Sequence, residues 1–238
     1  IDSILVGDSL GNVMLGLGDT VSVTMEDMIH HGAAVARGTK NALVVVDMPF
    51  MSYQSSVYDA VVNAGRLMKE ARTNAVKLEG GVEVADRIRA IVDCQIPVCA
   101  HIGLTPQGIN ALGGFKVQGK TADSARKLLE DAHAVEEAGA FAVVLEAIPA
   151  ELAERVSAEL TIPTIGIGAG AGCDGQVLVN QDMLGMFHDF TPKFVRRFAE
   201  VGDVMLDAYR AYDAAVKDGT FPAAEHTYAA PAGVLENL

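Results

Sequence analysis

The chain has 238 residues, of which 50% are hydrophobic and 21% are charged, and this is the profile of a globular domain of enzyme size. Its formal net charge of −13 argues against nucleic-acid binding, because no stripe of Lys and Arg is available to neutralise phosphates. No apolar run reaches the ~18 residues of a membrane span, and no signal sequence opens the chain. We therefore expect a cytoplasmic protein without membrane or nucleic-acid partners.

Short apolar runs recur along the chain, each followed by a polar or glycine-containing loop and then an amphipathic helical stretch. This alternation is typical of a parallel sheet built from βα units. Several runs are apolar throughout, as expected of strands covered on both faces. The predicted strands are residues 3–6, 42–46, 75–78, 97–100, 141–145, 163–167 and 176–179.

The helices between these runs are marked by their ends. Thr24, with Asp27 three residues later, predicts a capped helix start, and a helix over 122–138 is predicted to end at Gly139. The last predicted helix covers 192–217, and an extended tail rich in Ala and Pro follows from about residue 221. No break in composition suggests a second domain, so we expect one domain over residues 1–238.

Seven strands could form an open doubly wound sheet, but the even βα rhythm favours an α/β fold of the (β/α)₈ TIM-barrel class. The chain also begins at Ile1, almost directly in a strand. We therefore expect that the first strand and helix of the barrel precede Ile1.

Ionisable residues stand repeatedly at the C-terminal ends of the apolar runs. A single Asp after a strand is more often a turn former or a helix cap than a ligand. Recurrence after five successive runs favours a shared role, because this end of an α/β barrel carries the active site. The residues in these positions are Asp8, Asp47, Lys77, Glu79, His101 and Glu146.

The acidic members of this set predict an oxygen site for Mg²⁺. Asp8, Asp47 and Glu79 offer carboxylates from three neighbouring strands, and hard oxygen ligands suit this ion. Lys77 lies two residues before Glu79, so both side chains share one face of a strand. Zinc is disfavoured, because the three cysteines form no CxxC pair. We expect those cysteines to be buried free thiols.

Two glycine-rich segments are less specific. Residues 166–172 superficially resemble a dinucleotide-binding motif, but no long helix follows, so close backbone approach to a ligand or tight packing in the barrel is favoured. Residues 105–120 have several glycine hinges and could form a lid or a mobile surface loop. We assign no chemistry to the scattered histidines His30, His31, His133, His188 and His226.

An ordered set of motifs, running from the first residues to about Tyr228, resembles the ketopantoate hydroxymethyltransferase family. No single motif is decisive, but the ordered set is very specific. The motifs are Val-Gly-Asp-Ser at 6–9, Asp-Met-Pro-Phe at 47–50, Val-Lys-Leu-Glu-Gly-Gly at 76–81, His-Ile-Gly-Leu-Thr-Pro-Gln at 101–107, Gly-Gly-Phe-Lys-Val-Gln-Gly at 113–119, Leu-Glu at 145–146, Ile-Gly-Ile-Gly-Ala-Gly at 165–170 and Asp-Gly-Gln-Val-Leu-Val at 174–179.

The resemblance implies an enzyme of pantothenate synthesis with a (β/α)₈ barrel and a Mg²⁺ ion. It further implies 3-methyl-2-oxobutanoate as substrate, 5,10-methylenetetrahydrofolate as the one-carbon donor, and a homo-oligomer, commonly a decamer. Members of this family carry a further segment, with the first barrel strand and helix, before the Val-Gly-Asp-Ser motif.

The resemblance also implies residue roles. By motif, Asp8 and Asp47 match the metal ligands, and Glu79 matches a third acidic ligand that acts directly or through water. Glu146 matches the catalytic base. The residues that match substrate contacts are Asp8, Ser9, Asp47, Lys77 and His101.

Two other functions compete with this one. A Mg²⁺-dependent 2-oxo acid lyase or mutase, of the phosphoenolpyruvate mutase and isocitrate lyase type, would bind a similar substrate, but the chain lacks the cysteine-containing Lys-Lys-Cys-Gly-His loop that such lyases need. A catalytically silent barrel subunit would be expected to have lost some of the motif carboxylates, which are all present.

Overall fold

The structure is a computed structural model of the protein, and it describes residues 1–187 and 190–235. His188, one of the scattered histidines, lies outside the described residues. The chain divides into two compact units, Ile1–Val179 and Asn180–Leu238. The first unit contains the whole sheet.

The sheet has seven parallel strands in sequential order, and each strand pairs with the next one along the chain. The register places Asp47 beside Lys77, Glu79 beside His101, and Gly103 beside Glu146. The strands are β1 (Ser3–Val6), β2 (Leu43–Asp47), β3 (Ala75–Glu79), β4 (Val98–Gly103), β5 (Ala142–Glu146), β6 (Thr164–Ile167) and β7 (Gly175–Gln176).

The sheet curls into a half barrel. The curl is shown by one small cavity of about 70 Å³, which residues from all seven strands line. The α/β class and the parallel sheet are as predicted. Alternate residues of each strand point into the curl or away from it. The inward-facing apolar residues form a small core of Val45, Ala75, Cys99, Ala142 and Val144, against which Leu5 and Ile165 pack.

The outer face of the sheet carries the larger core, which the helices cover. Buried residues of this layer include Val46, Val76, Leu78, Val98 and Leu145 from the strands, and Met28, Ile88, Ile91, Val135 and Val156 from the helices. The helices of this unit are α1 (Leu10–Val13), α2 (Met25–Gly38), α3 (Val57–Arg66, continued by a π-helical turn over Leu67–Ala71), α4 (Ala85–Asp93), α5 (Ile109–Leu112), α6 (Ala122–Glu137) and α7 (Ala150–Glu159).

Both predicted helix signals are confirmed. Thr24 caps α2 through a reciprocal pair of hydrogen bonds with Asp27, at 3.0 and 3.2 Å. Helix α6 ends at Glu137, two residues before Gly139, whose φ of +98° is a conformation that suits glycine.

The glycine-rich segment 166–172 packs tightly against α7. A Cβ on Gly170 would lie 2.5 Å from the Cβ of Ala150, and one on Gly172 would lie 2.8 Å from the Cβ of Glu154. Of the two interpretations of this segment, tight packing therefore has direct structural support. The segment after β4 is partly ordered into helix, with a 3₁₀ turn over Pro106–Gly108 followed by α5.

The second unit contains α8 (Asn180–Met183), α9 (Val201–Asp218) and a 3₁₀ turn over Ala224–His226. The prediction of a helix from residue 192 is wrong in its start, since α9 begins nine residues later. Before and at the start of α9, the backbone bonds to residues at and just after the end of α8. The N–H of Phe198 donates to the Met183 carbonyl at 2.8 Å, and the N–H of Val201 donates to the Leu184 carbonyl at 2.9 Å. Within residues 1–187 and 190–235, no helix is long and apolar enough to cross a membrane.

The expectation of three buried thiols holds only in part. Cys99 is buried, Cys173 is half-buried, and Cys94 is exposed just after α4.

Candidate active site

The ionisable residues at the strand ends lie together at the C-terminal edge of the half barrel. Each belongs to the inward-facing set of its strand, except Asp8, which follows β1 by two residues. Five of the six are buried, with relative exposures of 2–5%, and these are Asp8, Asp47, Lys77, Glu79 and His101. Buried ionisable groups need partners, and here they partner one another.

The first half of the cluster joins β1, β2 and β3. The backbone N–H of Asp8 donates to Oδ2 of Asp47 at 3.0 Å. The Lys77 ammonium donates to Oδ1 of the same carboxylate in a buried ion pair. Asp47 is therefore held between the turn after β1 and the end of β3.

The second half joins β3, β4 and β5 through an imidazole. Nδ1 of His101 lies 3.5 Å from Oε1 of Glu79, and its Nε2 lies 3.2 Å from Oε2 of Glu146. Among the described residues, neither ring nitrogen has an aligned hydrogen bond. His101 thus separates two carboxylates by its ring. Oε1 of Glu79 also lies 4.0 Å from the Lys77 ammonium.

Burial is the largest single influence on the pKa values of the cluster. Burial raises the pKa of Asp8 to about 7, and the Asp47 charge adds to the effect. Burial likewise raises the pKa of Glu79 well above its usual value. Burial alone would lower the pKa of Lys77, but the carboxylates of Asp47, Glu79 and Asp8 outweigh it and raise that pKa, so Lys77 stays charged.

His101 is electrostatically different from Lys77. Burial first, and then the Lys77 charge, lower its pKa below the usual value. The imidazole is therefore neutral at physiological pH. A neutral ring has one nitrogen that donates a hydrogen bond and one that accepts. His101 is therefore a polar neighbour of Glu146 rather than a counter-ion.

Ser9 and Glu146 complete the predicted set. A Cβ on Gly7 would lie 3.2 Å from the Ser9 hydroxyl oxygen and 3.4 Å from Oδ2 of Asp47, so both groups flank the turn after β1. The Glu146 carbonyl accepts from the N–H of Leu104 at 2.9 Å, and a Cβ on Gly103 would lie 2.4 Å from this carbonyl oxygen. The glycine therefore lets β4 approach the end of β5.

Two buried polar residues were missed by sequence reasoning. Gln107 and Tyr53 are 4% and 1% exposed, and both contact the cluster. The Gln107 side chain donates to Oδ2 of Asp8 at 2.9 Å, and the Tyr53 hydroxyl accepts from the N–H of Glu79 at 3.0 Å. The only signal was that Gln107 ends one of the motifs; nothing in the pattern marks Tyr53.

The Asp8 and Asp47 carboxylates fit a divalent cation by their chemistry. They are hard oxygen donors, and the two residues lie side by side, with the backbone N–H of Asp8 donating to Oδ2 of Asp47 at 3.0 Å. Within the described part of the chain, no three His, Cys, Asp or Glu side chains are grouped as a metal cage. Mg²⁺ commonly takes only one or two protein carboxylates together with substrate oxygens and water, so a pair suffices.

Fold and site together define an α/β enzyme with a curled parallel sheet, and with a buried ammonium and carboxylates at the strand ends. The family model of ketopantoate hydroxymethyltransferase matches residues 1–224, and the chain belongs to this family. It is thus an enzyme of the hydroxymethyltransferase class.

Curated relatives agree with the family match over the full chain. Proteins called 3-methyl-2-oxobutanoate hydroxymethyltransferase from Clostridium novyi (strain NT) and Enterococcus faecalis (strain ATCC 700802 / V583) are each 66% identical to it over 238 residues. The match covers 100% of this chain and 86% of each relative.

Solved structures resemble the fold at much lower identity. A putative phosphonomutase from Burkholderia cenocepacia J2315 superposes with a TM-score of 0.55 at 17% identity, covering 91% of this chain and 85% of the other. A 2,3-dimethylmalate lyase, described as a phosphoenolpyruvate mutase and isocitrate lyase superfamily member, gives 0.55 at 16% identity, covering 96% and 80%. At this identity the likeness concerns the fold alone, and the family match favours the hydroxymethyltransferase over the lyase alternative.

Proposed function

We propose that this chain transfers a hydroxymethyl group from 5,10-methylenetetrahydrofolate to 3-methyl-2-oxobutanoate, giving 2-dehydropantoate for pantothenate synthesis. The full-length relatives named for this activity support the substrate. The observation that carries the proposal is the convergence of the six strand-end side chains at one edge of the half barrel.

In this proposal Asp8 and Asp47 hold a Mg²⁺ ion, with Glu79 as a third acidic ligand that acts through water. When bound, Mg²⁺ supplies a Lewis acid that stabilises the negative charge developing on the 2-oxo oxygen of the substrate. The backbone contact between Asp8 and Asp47, at 3.0 Å, and the burial of both residues support the two-carboxylate assignment.

Lys77 and Ser9 bind the oxo acid, to which Asp8, Asp47 and His101 also contribute contacts. Lys77 is suited to this because its ammonium is buried, charged and held in place by Asp47. A fixed positive charge stabilises a developing oxyanion without having to reorganise during the reaction. Ser9 can donate a hydrogen bond from the turn after β1.

Glu146 removes the proton from C3 of the substrate. Its side chain is 15% exposed, against 3% for its neighbour His101, so it faces the open end of the cluster. Nε2 of the neutral His101 imidazole lies 3.2 Å from Oε2 of Glu146, so the nearest polar neighbour of this carboxylate carries no charge.

The resulting carbanion at C3 attacks the methylene carbon of the folate, and the new carbon–carbon bond forms as one of the two carbon–nitrogen bonds of that methylene breaks and its nitrogen takes up a proton. Water then displaces the second nitrogen, so the hydroxyl oxygen of the product comes from water and tetrahydrofolate leaves with the other proton of that water. The half barrel belongs, in this proposal, to a complete (β/α)₈ barrel. The single domain over residues 1–238, the cytoplasmic location and the homo-oligomer, in particular a decamer, stay predictions.

Exchange of the C3 proton with solvent tests proton removal separately from formation of the carbon–carbon bond. The chain is incubated with 3-methyl-2-oxobutanoate in deuterated water, with Mg²⁺ or after chelation, and loss of the C3 proton is followed by NMR. We expect exchange only with the metal, and product only after 5,10-methylenetetrahydrofolate is added. Absence of enzyme-dependent exchange, or exchange without subsequent product, would contradict the proposed reaction.

A further inference from the structure

Gln107 connects the ends of three strands, although it lies in the loop after β4. Its side-chain Nε2 donates to Oδ2 of Asp8 at 2.9 Å and to the carbonyl oxygen of Met48 at 2.9 Å. Its backbone N–H donates to Oε2 of Glu79 at 3.0 Å. One residue thus contacts the turn after β1, the residue that follows β2, and the last residue of β3.

The amide of Gln107 can adopt only one orientation in this setting. Its Oε1 receives the Tyr53 hydroxyl at 2.7 Å and Nε2 of Gln54 at 3.1 Å. All four hydrogen-bonding positions of the amide are therefore filled. The flipped amide would set its oxygen against the Asp8 carboxylate and the Met48 carbonyl, which are both acceptors.

Tyr53 supports the same arrangement from the opposite side. Its hydroxyl accepts from the N–H of Glu79 at 3.0 Å while it donates to the Gln107 oxygen. Both residues are almost fully buried, so neither can exchange these partners for bulk water. Gln107 and Tyr53 together fix the end of β3 relative to the turn after β1.

We propose that Gln107 is the positioning residue of the metal site, holding the Asp8 and Glu79 carboxylates in the orientation that cation binding needs. The inference rests on the proposed function, because it assigns a purpose to the two acids that Gln107 holds. A neutral residue suits this role, because it occupies one oxygen of each carboxylate with a directional donor and adds no charge that would compete with the cation. Tyr53 acts one step further out by orienting the amide.

The test measures binding of Mg²⁺ alone to chelator-treated protein by isothermal titration calorimetry. Gln107→Met keeps the approximate volume and removes the side-chain donor to Asp8, while the backbone N–H that donates to Glu79 remains. Because partners that orient metal ligands typically contribute 10–100-fold in metal affinity, we expect Mg²⁺ affinity to fall by roughly that factor. Turnover should recover largely at saturating Mg²⁺, since the substitution leaves the proposed base and the Lys77 charge in place.

Thr164→Val is the matched control for loss of a buried hydrogen-bonding group. Thr164 is fully buried, and its hydroxyl lies 3.0 Å from Oδ2 of Asp174, with no contact to the acidic cluster among its hydrogen bonds in the described structure. This control should lower the melting temperature and leave Mg²⁺ affinity unchanged. A merely structural role for Gln107 would give the same result as Thr164→Val.

Tyr53→Phe keeps the inference testable where Gln107→Met does not fold. It removes the hydroxyl that orients the amide, and we expect a smaller loss of Mg²⁺ affinity in the same direction. Wild-type Mg²⁺ affinity in folded Gln107→Met, or in Tyr53→Phe when the first variant cannot be purified, overturns the positioning role and leaves the proposed function standing. A wild-type protein that binds no Mg²⁺ and makes no product refutes the proposed function itself.

Discussion

A base that removes a proton from carbon must reach its substrate while its surroundings stay dry. Glu146 meets both conditions, because its carboxylate is partly exposed while His101 and Glu79 behind it are buried. Oε2 of Glu146 lies 3.2 Å from Nε2 of His101, without an aligned hydrogen bond. The exposed carboxylate therefore supplies the reach, and the buried residues behind it keep water away.

Replacement of Glu146 by its neutral isostere tests this assignment. A well-placed general base contributes about 10²–10⁴-fold, so Glu146→Gln should lower turnover by that order while oxo-acid binding stays near the wild-type value. Exchange of the C3 proton with deuterated solvent is the direct measurement. The control is Glu151→Gln, an exposed change in the first turn of α7. This variant should exchange the C3 proton at the wild-type rate. Wild-type exchange in Glu146→Gln would move the base to another residue.

The sequence could predict the strand-end residues but not the loop residues that hold them. Asp47, Glu79 and Glu146 directly end apolar runs, and the geometry of parallel strands brings such positions to one edge. Tyr53 and Gln107 lie in loops, where burial depends on how the chain returns across the sheet. Their hydrogen bonds to Glu79 and Asp8 arise only in the folded structure.

At the scale of single elements, α2 shows how a local signal sets a helix start. The Thr24 hydroxyl accepts from the N–H of Asp27 at 3.2 Å, and the Asp27 carboxylate accepts from the N–H of Thr24 at 3.0 Å. These bonds satisfy backbone donors that have no partner within the helix. The backbone hydrogen bond from Thr24 is also the main reason why the pKa of Asp27 lies below its usual value.

Removal of this cap should destabilise the protein without touching the active site. Thr24→Ala is expected to lower the free energy of unfolding by about 0.5–2 kcal/mol, measured by urea denaturation at neutral pH, and Thr24→Ser should stay close to wild type. Because folding lowers the pKa of Asp27, its carboxylate stabilises the fold at pH values above the unfolded pKa of about 4. This stabilisation is lost as the pH falls through the folded pKa. The Thr24 hydroxyl also donates to Oδ2 of Asp27 at 2.7 Å, and Thr24→Ala loses this bond while it keeps the backbone one. The difference in unfolding free energy between Thr24→Ala and wild type should therefore narrow in acid. An equal loss for Thr24→Ser would show that the hydroxyl is not the cause.

Element boundaries were predictable where local chemistry decides them and not elsewhere. Strand β1 has the predicted bounds, and α6 ends as its glycine signal requires. Helix α9 begins at Val201 instead of residue 192, because the N–H of Phe198 bonds to the carbonyl of Met183, the last residue of α8, and not to a carbonyl within a longer α9. That pairing is tertiary, so helical periodicity over 192–200 carries no information about it.

At the scale of the molecule, the sequential order of the parallel strands explains why one edge gathers the chemistry. Every connection returns the chain to the same end of the sheet, so each strand delivers its last inward-facing side chain to a common place. The βα rhythm predicted this architecture from sequence alone. The curl that brings the strands around a shared cavity follows from strand twist and packing, which no single run of residues encodes.

The strand-end carboxylates all lie in the first unit. Binding of the proposed cation between them should therefore raise the free energy of unfolding. A ligand that binds only the native state adds about 2.7 kcal/mol at 100 times its dissociation constant. For a chain of this size about 1 kcal/mol corresponds to roughly 2–4 °C, so saturating Mg²⁺ should raise the melting temperature by about 5–10 °C, measured by calorimetry against NaCl of equal ionic strength. Asp8→Asn keeps the side-chain size, removes one proposed ligand charge and should abolish most of this increment. A full Mg²⁺ increment in Asp8→Asn would place the cation elsewhere, because the stabilisation would then not depend on the Asp8 carboxylate.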